Sequence, residues 1–349
     1  MRIRALLAMM FLCALVGLRT TTLAADKGTE RVVAAPADRR GEEQTFLTFP
    51  EWFLVFSPAE YAEFVRSHNP DEFCFWGHIG QFWSSYGQVI HQTRDHGEPT
   101  NWGYHVMIIV IGISTTAEYA IRSAYEQLVG RISGALSNGR TAEDDFAAQV
   151  AQEYVDFIRV RPWYEFDFTA RLKRLWTQTS LFGPHFGRKL ERRYALTTEY
   201  LVKAVYGKII EKATHMAYEK PIVTTSVVVS AWPACNRVAP DVELVSQLGE
   251  DEALLALPRY QSFMVSAMAL AMCGANFKEI AGNHSVILVS ALGTLGQTQP
   301  PGTEVMIRQP IITQPGRERE VLVVPVMKLA LVLRGLTSQG LTLEHIFDY

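Results

Sequence analysis

The sequence has none of the short motifs that mark the best-known catalytic and nucleotide-binding sites. It contains no G-x-S-x-G nucleophile elbow, no G-x-x-x-x-G-K-[ST] phosphate loop, no G-x-G-x-x-G turn and no H-E-x-x-H zinc motif. Carboxylate pairs such as Asp144 and Asp145 stand at expected helix starts, where the helix dipole stabilises negative charge. The sequence therefore names no reaction, and it indicates compartment and architecture more clearly than chemistry.

Cysteine is also scarce, and the charges nearly balance. The chain has four cysteines and no C-x-x-C pair, so neither a disulfide framework nor a cysteine zinc site is indicated. We expect Cys74, Cys235 and Cys273 to be isolated thiols, with a Cys235–Cys273 bridge as the alternative. The formal net charge of −3 lacks the basic excess of a nucleic-acid-binding domain, so we expect no nucleic-acid partner.

Long hydrophobic runs are few, which excludes a transporter with many membrane spans. Residues 1–25 combine a basic start, an apolar core from Ala5 to Leu18 and small residues near Ala24. This pattern is typical of a signal peptide or a signal anchor, so we expect an exported protein. The charged stretch 26–46, which also carries alanine and proline, predicts a flexible linker.

Residues 47–220 predict a helical region that is rich in aromatic side chains. The sequence from Ser57 to Glu60 predicts a helix start, because it forms a capping box with proline at the first helical position. Farther on, apolar side chains recur with a helical period, so one face of that helix is almost wholly aromatic. They are Phe75, Trp76, Ile79, Phe82, Trp83, Tyr86 and Ile90. Later amphipathic helices place Lys and Arg beside Trp, Tyr and Leu, which suits an anionic lipid surface or a solvated basic exterior.

The segment Tyr104–Ile121 is the candidate transmembrane helix. It has 14 uncharged residues before Glu118, fewer than the roughly 20 of a comfortable span, but Trp and Tyr flank it as interfacial anchors do. Lys and Arg number 6 against 12 Asp and Glu in residues 25–101, and 16 against 12 in residues 119–220. This asymmetry favours a span with the second stretch in the cytoplasm. A buried core helix is the alternative.

Residues 221–349 predict a second domain in which strands alternate with helices. The order β-α-β-β-α-β predicts a ferredoxin-like sandwich, with one or two extra strands. In this prediction the stretch from Glu250 to Gly274 is a helix broken at Pro258. One sheet face buries Val227, Val229, Ile287, Val289, Val321 and Val323. The predicted fold class is therefore α+β, with a helical N-terminal region followed by a ferredoxin-like C-terminal domain.

The histidines between residues 68 and 105 are the candidate ligands for a metal or a haem. His91, Asp95, His96 and His105 offer imidazole and carboxylate groups that suit zinc or iron, but their spacing matches no known motif. His78 or His105, on apolar helices, could serve as an axial haem ligand. We expect no metal and no cofactor, because aromatic burial already accounts for this stretch.

These features together predict a membrane-associated, bacterial-type envelope protein of the inner membrane. Its partners are the lipid surface and, for the C-terminal domain, a protein or a small ligand. The alternative is an exported soluble enzyme, in the periplasm or secreted, whose histidine-rich metal or haem site lies within residues 78–105.

Overall fold

A computed structural model describes residues 32–40, 42–95, 101–137, 139–217, 223–235, 241–297 and 300–347. It shows a helical N-terminal region and, in the C-terminal part, two antiparallel four-stranded sheets. The helices are α1 Glu42–Phe64, α2 Phe75–Asp95, α3 Trp102–Tyr125, α4 Arg131–Ala135, α5 Ala142–Ile158, α6 Phe168–Gln178, α7 Phe186–Ala217, α8 Gln261–Cys273 and α9 Leu329–Leu336. A π-helical turn, Glu126–Gly130, joins α3 to α4.

The chain divides into two compact units. The described residues of the first, helical unit lie within Trp52–Trp83 and Ile109–Lys220. The second, strand-rich unit comprises Pro221–Tyr349 together with Ser84–Ile108 and the residues before Trp52 from 32 onward.

The predicted helix start at Ser57 is wrong. Helix α1 begins at Glu42 and continues through Ser57 and Pro58. The Ser57 hydroxyl does not cap a helix, because it lies 2.7 Å from the Tyr119 hydroxyl and 2.9 Å from Nδ1 of His78. A capping sequence marks a helix start only when its hydroxyl is available to bond a backbone N–H group. Here the Ser57 hydroxyl bonds side chains of other helices instead.

The aromatic face of α2 packs inside the protein. Phe75, Ile79, Phe82 and Tyr86 are buried, and only Trp76 of the aromatic set is largely exposed. Within the helical unit, the indole N–H of Trp83 donates to the Thr116 hydroxyl at 2.9 Å. The predicted helical period is confirmed, and the aromatic face contacts other helices.

The strands form two sheets with the same internal order. The strands are β1 Thr224–Ser230, β2 Glu243–Gln247, β3 Glu252–Pro258, β4 Asn276–Ile280, β5 Val286–Thr294, β6 Glu304–Pro310, β7 Arg317–Pro325 and β8 Thr342–Ile346. The first sheet has the order β2-β3-β1-β4 and the second β6-β7-β5-β8. With α8 between β3 and β4 and α9 between β7 and β8, the chain repeats one β-β-β-α-β module twice.

This arrangement does not confirm the ferredoxin-like sandwich, which has a single sheet. The prediction is wrong mainly at the stretch EALLALP, which forms strand β3 and not the predicted helix. Its apolar run is too short to distinguish a buried strand from a buried helix by periodicity alone. Once β3 is a strand, it pairs with β1 from Thr224↔Pro258 to Ser230↔Glu252. The second sheet then becomes a copy of the first.

The predicted buried face is right for two strands and shifted by one residue in the third. Val227, Val229, Ile287 and Val289 lie in the main core. In β7, however, the residues of this core are Leu322 and Val324, which pair with Val289 and Ile287. Val321 and Val323 are buried on the opposite face. Because β7 is buried on both faces, alternation of apolar and polar residues could not fix its orientation.

Each module has a side-chain link between the loop after its first strand and the end of its helix. In the first module Cys235 and Cys273 form a disulfide with Cα atoms 5.8 Å apart, so the expectation of isolated thiols is wrong for this pair. In the second module the Gln297 amide donates to the Gln339 carbonyl. Cys273 and Gln339 each precede the glycine that ends the helical segment. The two modules thus use a covalent bond and a hydrogen bond at equivalent places.

The described residues of the stretch assigned to a linker make specific hydrogen bonds within the strand-rich unit. The buried carboxylate of Glu279 accepts the backbone N–H groups of Val33 and Ala34 at 2.8 and 2.7 Å. The Arg40 N–H donates to the Ala281 carbonyl at 2.8 Å. Residues 32–40 are therefore attached to the turn after β4, which a composition-based prediction could not reveal.

We expect the Cys235–Cys273 disulfide to stabilise the strand-rich unit. Replacing both cysteines by alanine should lower the free energy of unfolding by about 3 to 4 kcal/mol, because the bond closes a loop of 38 residues. Denaturant unfolding, with and without reductant, measures this loss. Cys74→Ala, which removes the exposed free thiol, is the matched control and should change nothing. Equal midpoints for all variants would contradict the expectation.

Candidate functional site

The candidate metal ligands do not come together in the described structure. His91 is exposed near the end of α2, and the Nδ1 of buried His105 lies 2.9 Å from the Tyr86 hydroxyl. Asp95 is the last residue of α2, its side chain is outside the description, and His96 lies outside the described residues. Among the residues that are described, no group of three or more His, Cys, Asp or Glu side chains could hold a metal ion.

His78 lies in a buried polar cluster of the helical unit. Its Nδ1 lies 2.9 Å from the Ser57 hydroxyl, and its Nε2 lies 3.7 Å from the Glu60 carboxylate. The ring of Phe73 stacks on the imidazole at a centroid distance of 4.5 Å. A serine, a histidine and a glutamate are thus adjacent, as in a hydrolytic triad. Ser57 is almost fully buried inside a helix, however, so its hydroxyl is closed to a substrate and the cluster holds helices together.

The strand-rich unit has its own buried polar group, which the sequence did not indicate. Arg319 makes a bidentate ion pair with Glu344 at 2.6 and 2.7 Å, and it donates to the Gln309 amide oxygen at 3.1 Å. His345, which follows Glu344 on β8, is fully buried, and burial holds its pKa well below the usual value, so the imidazole is neutral. The charges here are compensated pairwise inside a sheet.

A larger set of charged side chains, some buried and some half-buried, lies between α7 and the segment formed by α3 and its π-turn in the helical unit. We call it the ionic seam. It consists of Glu118, Arg122, Glu126, Arg188, Glu191, Arg192, Glu199 and Lys203. At its centre the guanidinium of Arg192 binds both carboxylate oxygens of Glu126 at 3.0 and 2.9 Å and also contacts Glu191. Arg192 is only 3% exposed, so this pair is largely removed from water.

One helical turn earlier, Arg188 joins α7 to the π-turn region and to α5. It donates to the Gly130 carbonyl at 3.0 Å, to the Ser133 hydroxyl at 2.9 Å and to the Asp144 carboxylate at 2.9 Å. Thr141 caps α5 and forms a capping box with Asp144, at the helix start that the carboxylate pair Asp144 and Asp145 indicated. The Arg188 guanidinium is thus tied to the π-turn, α4 and α5, and it also donates to Glu191 of α7 at 3.2 Å. The contacts to the other elements restrict the rotation of α7 about its axis.

At the other end of the seam, Lys203 bridges Glu118 at 3.1 Å and Glu199 at 2.8 Å, and Arg122 lies 3.7 Å from Glu199. Burial alone would raise the pKa of Glu199, but the positive charges of Arg122 and Lys203 outweigh it and lower that pKa to about 2. The guanidinium of Arg122 also lies over the Tyr61 ring at 4.4 Å.

The side of α3 and α4 that faces away from the seam is apolar and exposed. Residues spaced by three or four along one stripe carry no charge from the middle of α3 to the end of α4. They are Ile109, Ile113, Ala117, Ile121, Ala124, Leu128, Ile132 and Leu136. Ile121 and Leu128 are 70% and 68% exposed. A surface helix of a globular protein normally has the opposite pattern, with its charges toward water.

Helix α7 has a second exposed apolar stripe, opposite its arginines. It consists of Phe186, Leu190, Tyr194, Leu201, Val205 and Ile209. The two stripes adjoin where the rings of Tyr125 and Tyr194 lie 6.5 Å apart. We call the two stripes together the apolar face. Charges lie inside this helix pair and aliphatic side chains outside, which is an inverted polarity.

Sequence analysis placed the basic residues of α7 on the outside, and for Arg188, Arg192 and Arg193 this is wrong. All three are buried, and Arg193 pairs with buried Glu143 at 3.1 Å. The only signal in the sequence was the acidic residues on other helices, and their pairing becomes visible only when the helices are packed.

In the described part of the chain, one helical stretch is long and apolar enough to cross a membrane by length and composition, Trp102–Ala135. The core helix of a soluble protein can pass the same test. No family model, no curated protein and no solved structure matches the chain.

We expect Arg192 to be essential for the stability of the helical unit. Arg192→Met should lower the free energy of unfolding by about 3 to 5 kcal/mol, because it leaves Glu126 as an uncompensated buried charge. The matched control is Arg66→Met, which removes an exposed pair with Glu63 and should cost less than about 1 kcal/mol. Thermal or denaturant unfolding of the two variants measures the difference, and equal losses would contradict this account.

Stability should fall in acid as Glu199 becomes protonated. Because its folded pKa of about 2 lies below the ordinary value of 4.5, its ionised form stabilises the fold above pH 4.5, and this contribution is lost between those two values. Glu199→Gln should therefore give a flatter dependence of unfolding free energy on pH over that window. A variant with the same slope as the original protein would show that Glu199 does not contribute to it.

Proposed function

We propose that the protein is a membrane-associated envelope protein whose helical unit attaches to a lipid surface through the apolar face. In this proposal the strand-rich unit is an aqueous domain that binds a protein partner or a small ligand, and the location is the inner membrane. The observation that carries the proposal is the inverted polarity of the pair α3–α7. The signal-like N-terminal sequence and the disulfide, which an oxidising compartment favours, support export.

Exposing the apolar face to water costs free energy, whereas exposing it to lipid costs little. Fully burying a Leu or Ile side chain contributes about 1.5 to 3 kcal/mol, and the face exposes such side chains over the length of two helices. Continuous apolar surfaces of this kind mark sites of protein or membrane contact. The ionic seam lies beneath the face, so charged groups stay away from the acyl chains.

The packing of α3 favours attachment in the plane of the membrane over a complete crossing. Within the helical unit, one side of α3 is covered by the rings of Phe82 and Trp83, which contact the helix at Gly112. Another contact joins Tyr119 to Ser57. Only one side of the helix is therefore open to lipid, which is the arrangement of an interfacial amphipathic helix. A span of Tyr104–Ile121 is the alternative topology.

Charges placed on the apolar face should release the protein from membranes. We expect Ile121→Glu with Leu128→Glu to move the full-length protein from the membrane pellet to the soluble fraction. Losing the contact of these two aliphatic side chains with lipid is alone expected to weaken partitioning of the protein into the membrane by roughly two orders of magnitude. Fractionation of expressing cells, with carbonate and then detergent, measures this shift.

The matched control is Val265→Glu with Met272→Glu, which charges two exposed apolar residues on α8 of the strand-rich unit. This variant should remain in the pellet. If the original protein is already soluble, the proposal fails and the exported soluble enzyme takes its place. Reporter fusions after residues 95 and 140 test the topology. If they report opposite compartments, α3 crosses the membrane and in-plane attachment is wrong.

A further inference from the structure

We infer that one end of the apolar face, a basic and aromatic tip, binds the head groups of anionic phospholipids. The tip consists of Arg131, Lys173, Trp176, Phe182, Phe186 and Lys189. Trp176 borders the apolar face, because its indole N–H donates to the Thr197 hydroxyl of α7 at 3.0 Å, and Lys173 lies one turn before it on α6. This inference rests on the proposed membrane attachment and adds which lipid the site selects.

The charge of the tip is of one sign. Residues 168–190 contain five Lys and Arg and no Asp or Glu. Arg171 and Arg174 are neutralised by Glu153, at 3.1 and 2.9 Å, and Arg188 by Asp144. The positive charges of Lys173 and Lys189 have no such counterion among the described side chains, and Lys173 is exposed. An uncompensated positive surface attracts anionic lipid, at about 1 kcal/mol for each basic residue near the membrane.

The loop before α7 displays its aromatic rings to solvent. Phe182 is 77% exposed, and its ring stacks on that of Phe186 with centroids 6.3 Å apart. The backbone at Gly183 has φ +122°, a conformation that L side chains rarely adopt. The ammonium of Lys189 donates to the carbonyls of Ser180 and Phe182, at 3.0 and 3.4 Å, and so holds the loop in this shape. The exposed rings are thus an ordered part of the structure.

The tip and the apolar face form one continuous surface. Arg188, two residues after Phe186, binds the Gly130 carbonyl and the Ser133 hydroxyl, so the start of α7 lies beside α4. The exposed Ile132 and Leu136 of α4 are therefore at the same end of the helical unit as Phe182 and Phe186. Aromatic rings at the border of an aliphatic surface, with lysines next to them, suit the head-group layer of a bilayer.

An extended anionic surface fits this tip better than a single small anion. A phosphate site needs donors that converge on one point, as a helix N-terminus or paired arginines provide. Here the basic groups lie on three elements, α4, α6 and α7, and aromatic rings stand among them. Lipid head groups and free phosphate share the same chemistry, so the experiment has to separate them.

The test measures binding of the purified full-length chain to two kinds of vesicle. One is phosphatidylcholine alone, and the other is an equal mixture of phosphatidylcholine and phosphatidylglycerol. We expect tighter binding to the mixture, with an advantage that salt reduces. Arg131→Gln with Lys173→Gln should weaken binding to the mixture about 30-fold and leave binding to phosphatidylcholine unchanged. The control, Arg161→Gln with Lys328→Gln, removes two exposed charges outside the tip and should bind like the original protein.

The outcomes separate this inference from the proposed function. Equal binding to both vesicles, with no effect of the tip variant, overturns the head-group preference but leaves membrane attachment in place. Displacement from the mixed vesicles by inorganic phosphate, at constant ionic strength, would make the tip a small-anion site and overturns the inference too. No binding to either vesicle overturns both.

Discussion

The ion pair between Arg192 and Glu126 is the interaction on which the helical unit depends. A bidentate pair removed from water is costly to separate, because each partner alone would be a buried uncompensated charge. Its fixed fork geometry allows one rotation and one register of α7 against the turn after α3. Once that register is set, Lys203 meets Glu118 and Arg188 meets Gly130. One further side of each helix, which is aliphatic, is then exposed.

This arrangement explains how one helix pair can be both rich in charge and apolar at its surface. The seam takes up its charges in pairs, so little net charge remains to repel lipid. Lys173 and Lys189, which have no counterion among the described side chains, belong to the tip with Phe182 and Phe186, where a head-group layer rather than acyl chains would meet them. The direction of the proposed membrane contact therefore follows from the pairing inside the bundle.

The strand-rich unit follows a different principle, repetition of one module. In both copies the first strand lies between the third and the fourth, and the following loop is tied to the helix end. The link is the Cys235–Cys273 disulfide in one copy and the Gln297 amide in the other. Because the two side chains differ in chemistry, the sequence does not mark these two positions as equivalent. In both modules, a side chain holds the loop after the first strand to the end of the helix.

The sequence by itself determined the elements with a clear period, which are the helix of Phe75 and Phe82 and the strands that contain Val227 and Ile287. It could not determine the short apolar strand at Leu255 or the buried face of β7, because local pattern is ambiguous when a strand is covered on both sides. The candidate site was decided only by tertiary structure. Arg188 and Arg192 find their partners 44 and 66 residues away in the chain. The sequence of α7 alone does not show which side of the helix faces the protein interior. The positions of Asp144 and Glu126 in space decide this, so that the basic side faces inward and the aliphatic side is exposed.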